Sequence, residues 1–175
     1  MARLADLLRI HGDLDELFAC HQELLLQQRL VEAQMDLQVY RELLGLHTRH
    51  EEQILLPRYE KLGPNPVWPT RLYVGQHRRM RELLDGAAER LKALAYRGPA
   101  ARRAIIALLD YETTYKRLAE HHDEAERRGL FAALEFELDD AEQAKLVDPY
   151  LSEWRHAERL LLGARAVEKL EQRPH

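Results

Sequence analysis

His47-Thr-Arg-His-Glu51 and His122-Asp-Glu-Ala-Glu126 each set a histidine four residues ahead of a glutamate. On a helix that spacing puts both side chains on one face, about one turn apart. The two segments are copies. A shift of 75 residues carries His47 onto His122, and also Tyr40 onto Tyr115, Leu43 onto Leu118, Leu55 onto Leu130 and Leu56 onto Phe131. Two helices therefore present the same imidazole-and-carboxylate set between matching apolar positions. Imidazole with carboxylate suits first-row transition metals such as iron, zinc and manganese. The repeat predicts a dinuclear metal site within a helical protein.

The elements that must position these groups read as helices throughout, because no segment sustains a two-residue alternation with β-branched enrichment. A first helix is expected from Asp13, where Asp13 and Glu16 resemble a capping box, to about Gln28. Its apolar face carries Leu14, Leu17, Phe18, His21, Leu24 and Leu25. A second helix spans roughly 31–61, and Gly63-Pro-Asn-Pro-Val-Trp-Pro69 forms the clearest loop. A third runs from Thr70 to 94 or 95, and a fourth from the Gly98-Pro99 break to about Arg128. Four such helices joined by short turns predict an all-α fold, an antiparallel four-helix bundle over residues 1–135. Residues 136–175 read as a helical extension that starts near Asp139-Asp140, is interrupted at Pro149, and continues as an amphipathic helix over 150–170. It is expected to pack on the bundle or to form a homodimer contact.

The two remaining bundle helices each carry one central histidine, His21 on the first and His77 on the third. Each of the four histidines falls on an apolar stripe, where an imidazole without a partner is costly to bury. The order across the helices is then H–HxxxE–H–HxxxE.

That pattern resembles the hemerythrin-like, or HHE cation-binding, family of four-helix bundles with a non-haem di-iron centre. Leu55-Leu56-Pro57 and Leu130-Phe131-Ala132 are similar to the "LFP" ending that follows each HxxxE in the family, and the likeness covers roughly residues 11–134. It implies two iron ions with an oxo or hydroxo bridge, His21, His47, His77 and His122 as terminal ligands, and Glu51 and Glu126 as bridges. Within the family the set is closer to the H–HxxxE–H–HxxxE proteins, which include di-iron repair proteins of nitrosative stress, than to oxygen carriers. Those carriers have a second histidine one turn before the third-helix ligand, where this chain has Tyr73. Two histidines and two bridging glutamates supply about four protein donors per metal, so with a bridging oxygen both ions keep an open position in an octahedral set. Two accessible irons favour chemistry or sensing with O2, NO or peroxide, in stress response or in iron supply and cluster repair. Two other readings are a reversible oxygen carrier or store, and an interaction module in which the metal is structural.

Several residues could join the set or support it. His50 lies three residues after His47, and His121 competes with His122, which the repeat favours by placing Leu46 opposite His121. His11 lies ten residues before His21, near three turns away. Tyr40 and Tyr115 sit two turns before the ligand histidines and could hydrogen-bond a bound oxygen species or pack in the core. Glu153-Trp-Arg-His156 has the ferritin-like ExxH spacing, but that class needs the motif twice.

Composition narrows the field. Charge totals −4, and Lys and Arg are interspersed with acids, so nothing points to nucleic acid. Apolar runs are short, which speaks against a membrane span. The N-terminal residues lack a signal-peptide pattern. The single cysteine, Cys20, cannot form an internal disulfide, which fits a reducing cytoplasm; it is expected to be a small residue beside the core.

Overall fold

The structure, a computed structural model, describes residues 2–63, 68–94 and 101–171, with 165–171 described by backbone alone. The described residues are helical and include no strand. A 3-10 turn, Leu4–Leu7, runs into α1 (Leu8–Leu26), and α2 (Leu30–His50) follows after a tight reversal. A π turn, Glu51–Leu55, continues α2 into the short α3 (Leu56–Glu60). Next come α4 (Thr70–Leu94) and α5 (Ala101–Ala125). A second π turn, Glu126–Phe131, leads to α6 (Ala132–Glu137), and α7 (Asp140–Glu171) closes the chain. Residues 64–67 of the expected loop and the Gly98-Pro99 break lie outside the described residues.

α1 packs on α2, α2 on α4, α4 on α5 and α5 on α1, so these four helices meet in a ring. Their buried stripes form one apolar core that includes Leu14, Leu25, Leu37, Leu43, Leu84 and Leu108. The reversal between α1 and α2 is set by Gln28, whose φ of 59° is left-handed. The Arg29 amide donates to the Leu24 carbonyl (2.9 Å) and the Gln28 amide to that of Leu25 (3.0 Å), which satisfies the last carbonyls of α1.

Two expectations need correction. Helix α1 does not begin at Asp13. It starts at Leu8, because Leu4, Leu7 and Ile10 are fully buried and the preceding turn is tied down. The Arg3 amide donates to Asp6 (2.8 Å), and the Leu4 amide donates across the fold to Gln143 (3.3 Å). Nor does Pro149 interrupt the last helix, which runs through it. Proline removes one amide donor from a helix, and here the flanking Val147, Tyr150 and Trp154 are buried and hold the segment in place. The start of α7 is as expected: Asp139 and Glu142 exchange side-chain-to-amide hydrogen bonds, a capping box. This helix packs along α2 and against the N-terminal 3-10 turn.

The two π turns begin at Glu51 and Glu126, equivalent places in the internal repeat. Such turns are rare and gather at functional sites. In the first, the Leu56 amide reaches back to the Glu51 carbonyl, and Pro57 has no amide with which to resume the α pattern. In the second, Gly129 lies against Trp68 and Tyr73, where an added Cβ would sit 2.5 Å from Trp68 Cε3 and 2.6 Å from the Tyr73 hydroxyl. That hydroxyl donates to the carbonyl of Ala125, the last residue before the π turn (3.0 Å). Gly129→Ala is therefore expected to destabilise the fold by about 1–3 kcal/mol through overpacking; chemical denaturation of the two proteins measures it.

Candidate metal centre

Four helices and the two π turns carry four histidines and two glutamates into the interior at one level. His11 comes from α1 and His47 from α2, with Glu51 at the first π turn. His77 comes from α4 and His122 from α5, with Glu126 at the second π turn. Five of the six are at most 2% exposed, and His11 is 7% exposed. They fall into two groups that share the carboxylates: His11, His47, Glu51 and Glu126, and Glu51, His77, His122 and Glu126.

Each glutamate gives one oxygen to each group. Glu51 Oε1 lies 3.3 Å from His47 Nε2, and Glu51 Oε2 lies 3.2 Å from His77 Nε2. Glu126 Oε2 lies 3.2 Å from His11 Nε2, and Glu126 Oε1 lies 2.6 Å from His122 Nε2. Within each pair of rings the Nε2 atoms are 3.1 Å apart. Two ligands each about 2.1 Å from one ion and at right angles to each other are separated by about 3 Å. The spacing therefore suits one cation per group.

The outer ring nitrogens explain the orientation. His77 Nδ1 donates to Glu52 Oε1 (2.9 Å), and His122 Nδ1 donates to the Gln76 side-chain oxygen (3.0 Å). His47 Nδ1 is hydrogen-bonded with the Tyr150 hydroxyl (3.0 Å). His11 Nδ1 faces Asp123 at 3.7 Å, beyond hydrogen-bond range. With the proton held on the outside, a neutral ring turns a bare Nε2 lone pair inward, which is the arrangement metal-bound histidines adopt. All four carboxylate oxygens of Glu51 and Glu126 are buried without a hydrogen bond in good geometry. Buried anions without donors are strongly disfavoured unless a cation meets them. These buried His/Glu groups can hold a metal ion.

Without metal, protons supply part of that positive charge. Burial pushes both rings down, but the Glu126 and Glu51 carboxylates outweigh it and carry His11 up to about 9 and His77 up to about 10. Burial, reinforced by the nearby His11, holds His47 well below its usual value. Burial and the adjacent Glu126 push Glu51 well above the carboxylate range. Burial would push Glu126 up as well, but His122, His11 and His77 around it hold it well below.

The structure places His11, not His21, in the cluster. His21 belongs to neither group. Its Nε2 meets Glu112 Oε1 at 3.0 Å and its Nδ1 donates to the Ala33 carbonyl at 2.7 Å, while Gln22 donates to the other Glu112 oxygen at 2.9 Å. His21 and Glu112 are both fully buried and fully partnered. Ten residues of helix place His21 about 15 Å along the axis from His11. The reversal at Gln28 contained the signal: His11 and His47 are nearly equidistant from it, whereas His21 is level with Ala33. A helix starting at Asp13 excludes His11, whereas the observed start at Leu8 puts His11 on α1.

Other candidates separate cleanly. His121 is exposed while His122 is buried in the cluster. His50 stacks on Tyr150, with ring centroids 3.9 Å apart, and burial pushes it down to about 4. Tyr73 serves the Ala125 carbonyl. Tyr40 and Tyr115 are hydrogen-bonded to each other through their hydroxyls, and Phe18 packs on both. Cys20 is half-buried on α1, with Sγ directed at Glu16 (3.9 Å). Sequence reasoning missed Glu112, Glu52, Gln76 and Tyr150, all of which act through another side chain and so have no motif of their own.

No protein-family model, curated protein or solved structure matches this chain. Among the described residues, no helix is long and apolar enough to cross a membrane.

Two outcomes are expected. His11→Ala removes bound metal, whereas His21→Ala leaves the metal content intact and costs about 3–5 kcal/mol of stability by stranding Glu112; elemental analysis and denaturation distinguish them. In the metal-free chain the raised His11 and His77 contribute stability that is complete below their ordinary value of 6.5. It is lost as pH rises through about 9 and about 10. Thermal melts of metal-free protein from pH 7 to 11 should show that loss, and metal loading should abolish it.

Proposed function

We propose that this chain is a hemerythrin-like, non-haem di-iron protein, an antiparallel four-helix bundle with a docked C-terminal helix, that binds, senses or handles O2, NO or peroxide. One observation carries the reading: Glu51 and Glu126 each direct one oxygen to each of two histidine pairs. The cyclic packing of α1, α2, α4 and α5 supports the bundle.

His11 and His47 would hold one ion and His77 and His122 the other, with Glu51 and Glu126 shared between them. Four protein donors of mixed nitrogen and oxygen saturate tetrahedral zinc but leave two positions of an octahedral ion free, which favours iron or manganese. Bound there, iron supplies one-electron redox chemistry and positions open to a small ligand. The chain's own part is to orient and to exclude water. Glu52, Gln76 and Tyr150 fix the ring planes of His77, His122 and His47. Leu44, Met80 and Leu14 close the apolar side of a cavity of about 20 Å³ beside the rings, room for one small molecule. Both groups have the same donor count. That symmetry favours handling or sensing, in stress response or iron supply and cluster repair, over reversible oxygen carriage, which benefits from one saturated ion.

Aerobic purification followed by metal quantification and ultraviolet–visible spectra, before and after dithionite and re-exposure to air, tests this reading. Two irons per chain, with ligand-to-iron bands that bleach and return, are expected. A stable oxygenated spectrum would favour the carrier reading, and a redox-silent metal the structural module.

A further inference from the structure

Between α1 and α5 an open cleft of about 250 Å³ leads inward, with Asp15, Gln22, Lys116, Glu120 and Asp123 on its walls. The cavity of about 20 Å³ that touches His11, His47 and His122 lies beside it. Asp15, Tyr40, Tyr115, Ala119 and Asp123 line both voids, so the cleft adjoins the cavity at the cluster. The acids are graded in depth: Asp15 and Glu120 are exposed, and Asp123 is 23% exposed. Behind Asp123, at 3.7 Å, is His11 Nδ1, a buried nitrogen with no hydrogen-bond partner. It differs from the outer nitrogens of His47, His77 and His122, each of which is engaged.

We propose that this cleft is the port through which divalent cations reach the buried cluster, with Asp15 and Asp123 passing the ion toward His11. The inference rests on reading the cluster as a metal site. A cation entering a low-dielectric interior must exchange its water for other oxygen donors stepwise, and a cleft lined by one sign of charge concentrates the opposite ion. Three carboxylates face one lysine in this cleft. A second groove, between α2 and α7, has about 370 Å³ but presents Arg49 and Lys145 against Glu153, and Tyr150 stands between it and His47. Between these two, charge selects the α1–α5 side.

The test uses the full chain stripped of metal and mixed with Co2+, with uptake followed by stopped-flow absorbance and release followed by chelator competition. Asp15→Asn with Glu120→Gln is expected to slow uptake roughly tenfold and to flatten its decline with salt, while the final cobalt content is unchanged. Ala119→Leu, which narrows the shared wall, is expected to slow uptake and release by the same factor and so leave the affinity unchanged. Wild-type rates in both variants would overturn the port. Slowing by Ala119→Leu alone would overturn the role given to the carboxylates and leave a purely steric passage for the ion. A fall in final cobalt content in the variants would place their effect in the cluster itself and also overturn the port. Failure of the wild-type chain to take up any metal would instead sink the metal-site reading, and that result is visible before any variant is made.

Discussion

Two carboxylates, Glu51 and Glu126, sit in the middle of the helices with four oxygens and no hydrogen-bond donor in proper geometry. An ionised carboxylate in such a place is disfavoured by several kcal/mol unless positive charge faces it, and most of the interior is arranged around that demand. Four imidazoles turn their Nε2 atoms toward the oxygens. Their outer nitrogens are turned to groups from elsewhere in the fold: Glu52, Gln76, Tyr150 and, at longer range, Asp123. Protons on His11 and His77 answer the charge in part, and the same donors are spaced so that they could hold a metal ion.

The same core contains the contrasting case. His21 and Glu112 are also a buried imidazole and carboxylate, yet every atom of that network is used: by each other, by Gln22 and by the Ala33 carbonyl. It ties α1 to both α2 and α5, and each of its polar side-chain atoms has a partner. Identical residue types thus do structural work at one level of the helices and converge unsatisfied at another. Hydrogen-bond satisfaction, not residue identity, distinguishes them.

The C-terminal helix belongs to this arrangement. Its capping box at Asp139 and Glu142, its contact with the N-terminal 3-10 turn and the burial of Val147, Tyr150 and Trp154 seat it along α2. From there Tyr150 reaches His47 with its hydroxyl and stacks on His50 with its ring. A segment with no repeat and no motif therefore sets the plane of one imidazole in the cluster, and it also anchors the N-terminal turn from which α1 extends to His11.

The sequence alone determined the helical class and the HxxxE repeat. Periodicity and the i, i+4 spacing are local properties, and a shift of 75 residues exposes them without any knowledge of packing. It also favoured His122 over His121, because the repeat aligns His122 with His47, and picked out His77, which lies on its helix's apolar stripe. Tertiary structure decided which first-helix histidine joined. His11 and His21 lie on one face of α1, and only the height set by the reversal at Gln28 and by the docking of Leu4 and Leu7 brings His11 level with His47. The π turns, the Glu112 pairing and the Tyr150 contact were likewise beyond local reading. Each depends on contacts between residues far apart in the chain, and helical spacing fixes a direction around an axis but not which helices meet, or at what level along them.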